Sequence, residues 1–394
     1  MRRLAVLGGS TPFTVALVEA LAARPGIAPQ RLVLHGRHRG RLGSMADYAR
    51  HRLGPAGWAV QTGTALSDVL GGADVVVHQI RYGDLSGRAQ DERFAHGHGS
   101  APDETLGPGA LRCLLRSLPD LRQTAAAVRE LAPDAWVVNL TNPLSATTSV
   151  LADYVGGRCL GVCELPEATA RAAADALGLR PGDLEWSYAG LNHRGFVHGL
   201  HHDGRDVLPG LVQALGRSRL GGISAETIGA LGAVPTKYFG LMSGPGPLYV
   251  GRAAEVAAVR ADLAAEVRAD PTRCPPSLGR RPTPWYDQAL VPILDALSPD
   301  GPGCEVVATV PDGSGPALER RGHLSGAGFT AHPEPEASAE VGRWVASYAA
   351  HERAVLDLCR APSEDALRRA VKLDPLVAPS RADAVAADLR PLLG

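Results

Sequence analysis

The sequence predicts an α/β protein built on a doubly wound, mostly parallel sheet, and three observations carry that expectation. Unbroken apolar runs recur at 3–7, 31–34, 73–78 and 135–140, as strands buried on both faces require. Segments of helical period lie between them, so strand and helix alternate. The first run stops at Gly8-Gly9-Ser10 and passes into a helical stretch, the strand-turn-helix start of a Rossmann-type unit.

Each element follows from local pattern. Arg3 to Leu7 is a strand, and Ala16, Leu17, Ala20 and Leu21 mark one apolar face of a helix over 14–23. Arg31 to Leu34 is the second strand, ended by His35-Gly36, with Leu42, Met45 and Tyr48 behind it on a helix. Ala73 to His78 and Ala135 to Leu140 are further strands separated by a helix from Pro119 to Leu131. Two more strands are expected at 159–162 and 184–191, and helices at 252–269, 286–297 and 335–358. Gly/Pro-rich stretches at 243–247, 275–284 and 299–316 loosen the second half. The expected division is a dinucleotide-binding domain over 1–160 and a C-terminal α+β substrate, metal and oligomerisation domain over 161–394.

Composition narrows the function. Forty Lys+Arg against 41 Asp+Glu leave a formal charge of −1, so bulk charge draws the chain neither to nucleic acid nor to an anionic membrane. Six irregularly spaced cysteines and an apolar opening that Gly8 cuts short argue for a reducing, cytoplasmic setting. A chain of 394 residues needs no metal to hold a core, so a bound metal would serve function.

In such a sheet, ligands bind outside the carboxyl ends of the strands, and the residues there are the candidates. Gly8-Gly9-Ser10 can hold a pyrophosphate at a helix start, or be a plain turn, since the full G-x-G-x-x-G spacing is absent. The second strand ends in His35-Gly36-Arg37, where an acid would bind the ribose of NAD. Arg37 suits a 2′-phosphate, which puts NADP beside NAD, with lost cofactor affinity as the other outcome. Gln79-Ile80-Arg81, Arg88, Asp91-Glu92 and Asp103-Glu104 crowd charge after the third apolar run, as solvated loop residues or a site. Asn139 to Pro143 sets two amides and a hydroxyl at a strand end, as a turn or as ligands. Cys163 and His193 each follow a strand, thirty residues apart. A thiolate and an imidazole can hold a transition metal with positions left open, although spacing alone favours a buried thiol and a hydrogen-bonded core histidine.

Taken together, these blocks resemble glycoside hydrolase family 4, the NAD- and metal-dependent glycosidases, in the 6-phospho-β-glucosidase branch. The matching blocks are Gly8 to Ser10 with Phe13-Thr14, and Gln79 to Arg81 with Arg88 and Asp91-Glu92. Glu104-Thr105 with Gly107 to Gly109, Pro133 to Trp136 with Asn139 to Pro143, Gly161 to Pro166 and Gly190 to Phe196 follow in the family's order. Pro235 to Tyr238 and Arg281 with Trp285-Tyr286 extend it.

The resemblance implies a fold similar to lactate and malate dehydrogenases, with NAD or NADP at Gly8, Gly9, Ser10, Arg37, Gln79 and Asn139. It implies Mn2+ or a similar divalent cation on Cys163 and His193. Tyr238 matches the base that takes the sugar's C2 proton, and Glu164 an acid for the leaving oxygen. Arg88, Glu104, Asn142 and Arg281 match substrate positions, the arginines suited to a sugar phosphate. The implied reaction oxidises C3, eliminates the C1 aglycone, adds water and reduces the ketone again, outside the two-carboxylate scheme. The implied partner is a small phosphorylated disaccharide or glucoside, and the implied assembly a homodimer or homotetramer. Gly36 and Phe239 to Met242 depart from the family pattern, which keeps a non-catalytic nucleotide or sugar-phosphate binder as one other reading. Glu164 is neither the Asn of the 6-phospho-β-glucosidase branch nor the Asp of the 6-phospho-α-glucosidase branch, which keeps the α-glucosidase as another, and a net dehydrogenase is the third.

Overall fold

The computed structural model describes residues 3–24, 27, 30–242, 250–298 and 301–393; the Gly/Pro-rich stretch 243–247 lies outside them. Six parallel strands form the frame: β1 (Arg3–Leu7), β2 (Arg31–His35), β3 (Ala59–Gly63), β4 (Val75–His78), β5 (Trp136–Asn139) and β6 (Cys159–Val162). Their spatial order is β3-β2-β1-β4-β5-β6, with every neighbouring pair parallel. The chain reverses direction across the sheet between β1 and β4, and there a crevice opens.

Successive residues of β1 explain why its run is unbroken. Leu4 and Val6 enter one apolar layer, with α1 (Thr14–Ala22) and α2 (Arg39–Leu53). Ala5 and Leu7 enter the other, with α3 (Leu66–Leu70), α5 (Gly107–Leu131) and α6 (Leu144–Val155). Both faces are covered, so alternation has no use.

Several expectations are corrected. β3 escaped notice because it is an edge strand whose Gln61 and Thr62 face water. The charges at 88–92 belong to a helix, α4 (Asp84–Gly97), not a loop. Asp91 is fully buried there because Arg112 and Arg116 pair with it at 2.5 and 2.6 Å. The helix expected from Pro119 starts at Gly107 and carries Pro119 in its interior. Its buried Leu111, Leu114, Leu115, Leu118 and Leu121 offset the roughly 3 kcal/mol of a mid-helix proline.

The second half also feeds the first sheet. After α7 (Leu165–Ala176), β7 (Glu185–Leu191) and β8 (Arg194–His202) make an antiparallel hairpin. Short strands β9 (Arg205–Asp206), β10 (Arg219–Leu220), β11 (Ile223–Ser224) and β12 (Val234–Pro235) follow, β9 and β12 pairing with β8. Then β13 (Cys304–Val310), β14 (Leu318–Ser325) and β15 (Gly328–Ala331) extend the nine-stranded sheet antiparallel beyond β6. The 160/161 division thus falls within β6, and much of the stretch read as loose at 299–316 is a strand. The expected helices at 252–269, 286–297 and 335–358 are Arg252–Ala269, a π-wound turn Trp285–Leu290 continuing into Val291–Ala296, and Ala339–Arg360. Among the described residues no helix is long and apolar enough to cross a membrane.

One buried ion pair locks the hairpin to the last third of the chain. Arg194 at the start of β8 donates to Glu352 Oε1 at 2.6 Å and meets His351 Nδ1 at 2.9 Å. Glu352→Ala leaves that guanidinium, 3% exposed, without its countercharge. The expected loss is about 3–5 kcal/mol, measured by urea unfolding.

Candidate functional site

The carboxyl ends of β1, β2, β4, β5 and β6 and the β7–β8 turn surround a cleft of about 810 Å³. Gly8, Ser10, Arg37, Gln79, Arg88, Glu104, Asn142, Cys163, Glu164, His193, Tyr238 and Arg281 all line it. Gly9 and Asn139 do not. Gly9 packs inward, where a Cβ would stand 3.0 Å from Leu34 and 3.1 Å from the Val6 carbonyl. Asn139 is fully buried and its amide is committed to the scaffold. Its Nδ2 donates to Thr147 and Thr148, and its Oδ1 meets the Thr141 amide and His78. It fixes the strand ends and leaves ligand contact to others.

At one end, Gly8 holds φ +90°, and a Cβ there would lie 2.8 Å from the Gln79 carbonyl. Only glycine lets β1 turn this close to the end of β4. Gln79 is itself fixed, donating to Thr14 and accepting from Tyr286.

Deeper in, Cys163 Sγ and His193 Nε2 face each other at 3.5 Å. The imidazole is set by its neighbours. His193 occupies a two-residue turn at φ +104°, a conformation that costs a non-glycine residue about 1–3 kcal/mol. Thr236 donates to its carbonyl at 2.8 Å, and its Nδ1 meets Thr105 Oγ1 at 3.0 Å. Thr105 is held in turn by Asp103, whose Oδ1 also accepts the Thr105 and Leu106 amides. With the hydroxyl proton given to Asp103, Thr105 accepts Nδ1–H and Nε2 presents a lone pair to the thiol. Burial, with Lys237 and Arg194, pushes the imidazole down to about 3, so it stays neutral. Burial, with Glu164 and Glu319, pushes the Cys163 thiol up.

This donor pair fits a divalent transition ion. Two donors each about 2.0–2.3 Å from one ion span such a gap, and a cation is what would stabilise a buried thiolate. Among the described residues no group of three or more His, Cys, Asp or Glu side chains is arranged to hold a metal.

Tyr238 stacks on His193, centroids 4.2 Å apart and planes 8° off parallel. Burial raises its phenol above the ordinary value, and Asp103, Cys163 and Glu164 add to the shift. Lys237 Nζ lies 5.3 Å from the ring centroid.

The wall opposite is basic. Arg88 donates to Glu92 and Glu104 at 2.7 Å, and Arg81 also grips Glu104. Burial pushes the Glu104 carboxyl up, but Arg81 and Arg88 outweigh it and hold it below its usual range. Arg281 lies over Phe13 and Trp285, with centroids 4.6 and 5.2 Å away. Its buried Nε has no partner. Burial, with Arg81 and Arg88, lowers it to about 10. Three guanidiniums around one exchangeable carboxylate make a receptor for a dianion.

The sequence reading missed Thr105, Asn192 and Glu319 as members of the site. Glu319 on β14 accepts from Tyr188 at 2.6 Å and from Asn192 at 3.0 Å. No spacing could reveal a contact across 127 residues.

Comparison with known proteins agrees with this geometry. Residues 4–179 match the model of the family 4 glycosyl hydrolases. Over 220 residues the chain is 32% identical to a probable 6-phospho-β-glucosidase of Bacillus subtilis, covering 54% of this chain and 50% of that one. A phospho-α-glucosidase of Clostridium acetobutylicum is 31% identical over 227 residues, 54% of this chain and 49% of its own.

The chain spans about half the length of these relatives. A Thermotoga maritima 6-phospho-β-glucosidase solved with manganese, NAD+ and glucose-6-phosphate superposes with a TM-score of 0.88 at 20% identity, covering 100% of this chain and 98% of that one. The lactate dehydrogenase of Cryptosporidium parvum superposes at 0.60 and 14% identity, covering 92% and 99%. At those identities the likeness is one of fold, and it agrees with the dehydrogenase-like sheet expected from sequence. The family 4 match ends before His193, Tyr238 and Arg281, and the fold brings all three into the same cleft.

Glu319 offers a test of how this site is buried. Burial pushes its carboxyl from 4.5 up to about 6 against the Tyr188 and Asn192 hydrogen bonds. Between those values the native state keeps a proton that the unfolded chain releases, so stability from this group falls as pH rises from about 4.5 to 6. Relative to Glu319→Gln, the wild type is expected to lose about 2 kcal/mol across that window, read from urea unfolding at several pH values. A difference independent of pH would contradict the assignment.

Proposed function

We propose that this chain hydrolyses 6-phospho-glucosides, with the β-glucoside as substrate, by redox-assisted elimination and addition. The observation that carries the reading is the Cys163–His193 pair at 3.5 Å, between the Gly8 turn and the Arg81–Arg88–Arg281 wall in one cleft. Gly8, Ser10 and Gln79 would hold a nicotinamide dinucleotide, and Cys163 with His193 a Mn-type ion. When bound, these supply a reversible hydride acceptor and a Lewis acid, which acidify the proton at C2.

The chain's own residues do the rest. Arg88 and Arg281 bind the 6-phosphate, with Arg81 releasing part of its hold on Glu104 to join them. Asn142 positions a sugar hydroxyl. Tyr238, fixed by its stack on His193, takes the C2 proton as the phenolate, a form that a cation held by Cys163 and His193 would favour over the phenol. Glu164, next to Cys163, gives a proton to the leaving C1 oxygen. Water adds to C1, and the hydride returns to C3, so the sum is hydrolysis without net redox change.

The preference for the β-anomer rests on the Cys163-Glu164-Leu165-Pro166 block. Relatives of both anomer types match the chain about equally, so both substrates belong in the test. The assay is aglycone release from chromogenic 6-phospho-β- and α-glucosides with Mn2+ and dinucleotide in heavy water. Turnover of the β-substrate with deuterium at C2 and no build-up of reduced cofactor is expected. Cys163→Ser should lower the rate more than about 100-fold, beyond the loss typical of outer-sphere partners, at an unchanged melting temperature. Turnover that survives both chelation and removal of dinucleotide would sink the reading.

A further inference from the structure

The end of β2 in this cleft is built for an anion where a neutral hydroxyl is the usual guest. In a sheet of this order, the ribose 2′-position of a dinucleotide lies at the end of the second strand, where an acid selects a free hydroxyl and an arginine accommodates a phosphate. Here no acid can stand at that position. Gly36 occupies it, and a Cβ there would run into the Cβ and Oγ of Ser10. The serine side chain from the first turn already fills the space.

The surrounding charge points the same way. Arg37 and Arg41 line the cleft beside Gly36, and no ion pair or hydrogen bond ties down either guanidinium among the described residues. They bracket the N-terminus of α2, fifteen residues long, where His38 makes no side-chain cap and the first turn carries no acid. Uncapped amides, the positive end of the helix dipole and two guanidiniums repel one another unless an anion sits among them. No nearby acid pairs directly with either guanidinium among the described residues, although Asp84 feels the charge of Arg41. Asp84 is paired with Arg260, and Asp68 accepts the Ala65 amide at 3.3 Å. His35, 9% exposed and lining the same end of the cleft, has an Nδ1 without a partner.

We propose that the dinucleotide this chain takes is the 2′-phosphorylated one, NADP(H), with the extra phosphate between Arg37 and Arg41 at the start of α2. This rests on the proposed reading of the cleft as a dinucleotide site, and adds which dinucleotide. Ser10 and Gly36 exclude the acid that would repel the phosphate, and the two arginines supply its countercharge.

The test is calorimetric titration of the whole protein with NADP+, NAD+, 2′,5′-ADP and 5′-AMP, so that binding is read without turnover. Wild type is expected to bind NADP+ at least ~10-fold tighter than NAD+, and 2′,5′-ADP tighter than 5′-AMP by a similar factor, the scale of charge-assisted hydrogen bonds. The preference should shrink as salt is raised. In the Arg37→Ala/Arg41→Ala variant the preference should vanish, with NAD+ affinity within about threefold of wild type and the melting temperature unchanged. Equal or tighter binding of NAD+ by wild type overturns the inference and leaves the dinucleotide reading standing. A preference that persists in the double variant also overturns it, since the phosphate then sits elsewhere. Binding of none of the four probes overturns the dinucleotide reading and this inference with it.

Discussion

A thiol at the end of a parallel strand and an imidazole in a hairpin turn can meet only if two sheets are held at a fixed offset, and the whole site hangs on that meeting. Cys163 follows β6, the last parallel strand, while His193 sits between β7 and β8 in a separate antiparallel sheet. Three long-range ties hold the turn, and the one to Glu319 on β14 spans the two sheets. Arg194 binds Glu352 on the helix Ala339–Arg360, Asn192 and Tyr188 bind Glu319 on β14, and Thr236 holds the His193 carbonyl. Each is buried, so each is worth more than the same contact in water. The positive φ at His193 is tolerated because the surrounding bonds over-determine it.

That arrangement also explains why the C-terminal strands join the first sheet. Because β13 pairs with β6 and β14 with β13, Glu319 is carried to the rear of the Cys163–His193 pair. A separately folded second domain could rotate and open that contact. One continuous sheet ties the rear support of the site to the strand that bears Cys163.

The sequence made the parallel frame legible because its strands are buried on both faces, and unbroken apolar runs are what that burial demands. The edge strand β3 was not legible, since water on one side lets Gln61 and Thr62 stand in a strand. The charges of α4 misled for the opposite reason. Asp91 and Glu92 look like solvent-facing residues, yet Arg112 and Arg116 bury the first, and Arg88 with the Gly251 and Ala253 amides buries the second. Most candidate site residues were found because strand ends are where this fold places ligands. Asn139 shows the limit of that rule: a strand-end amide can be needed by the scaffold, and only its partners distinguish the two uses. Glu319 and Thr105 act through contacts far apart in sequence, and no local pattern encodes them.

The net charge of −1 conceals how unevenly charge is distributed. The cleft is lined by eight lysines and arginines against five aspartates and glutamates, so the rest of the chain carries the balancing negative charge. A low-dielectric cleft with that excess concentrates field inside it. Basic groups gather around Glu104 and at the start of α2, and Lys237 lies 5.3 Å from the Tyr238 ring centroid beside the imidazole. Glu104 shows how the empty wall is kept stable. Its carboxylate neutralises Arg81 and Arg88 until an anion arrives, so neither guanidinium must be buried alone, and binding exchanges one countercharge for another instead of creating a new buried charge.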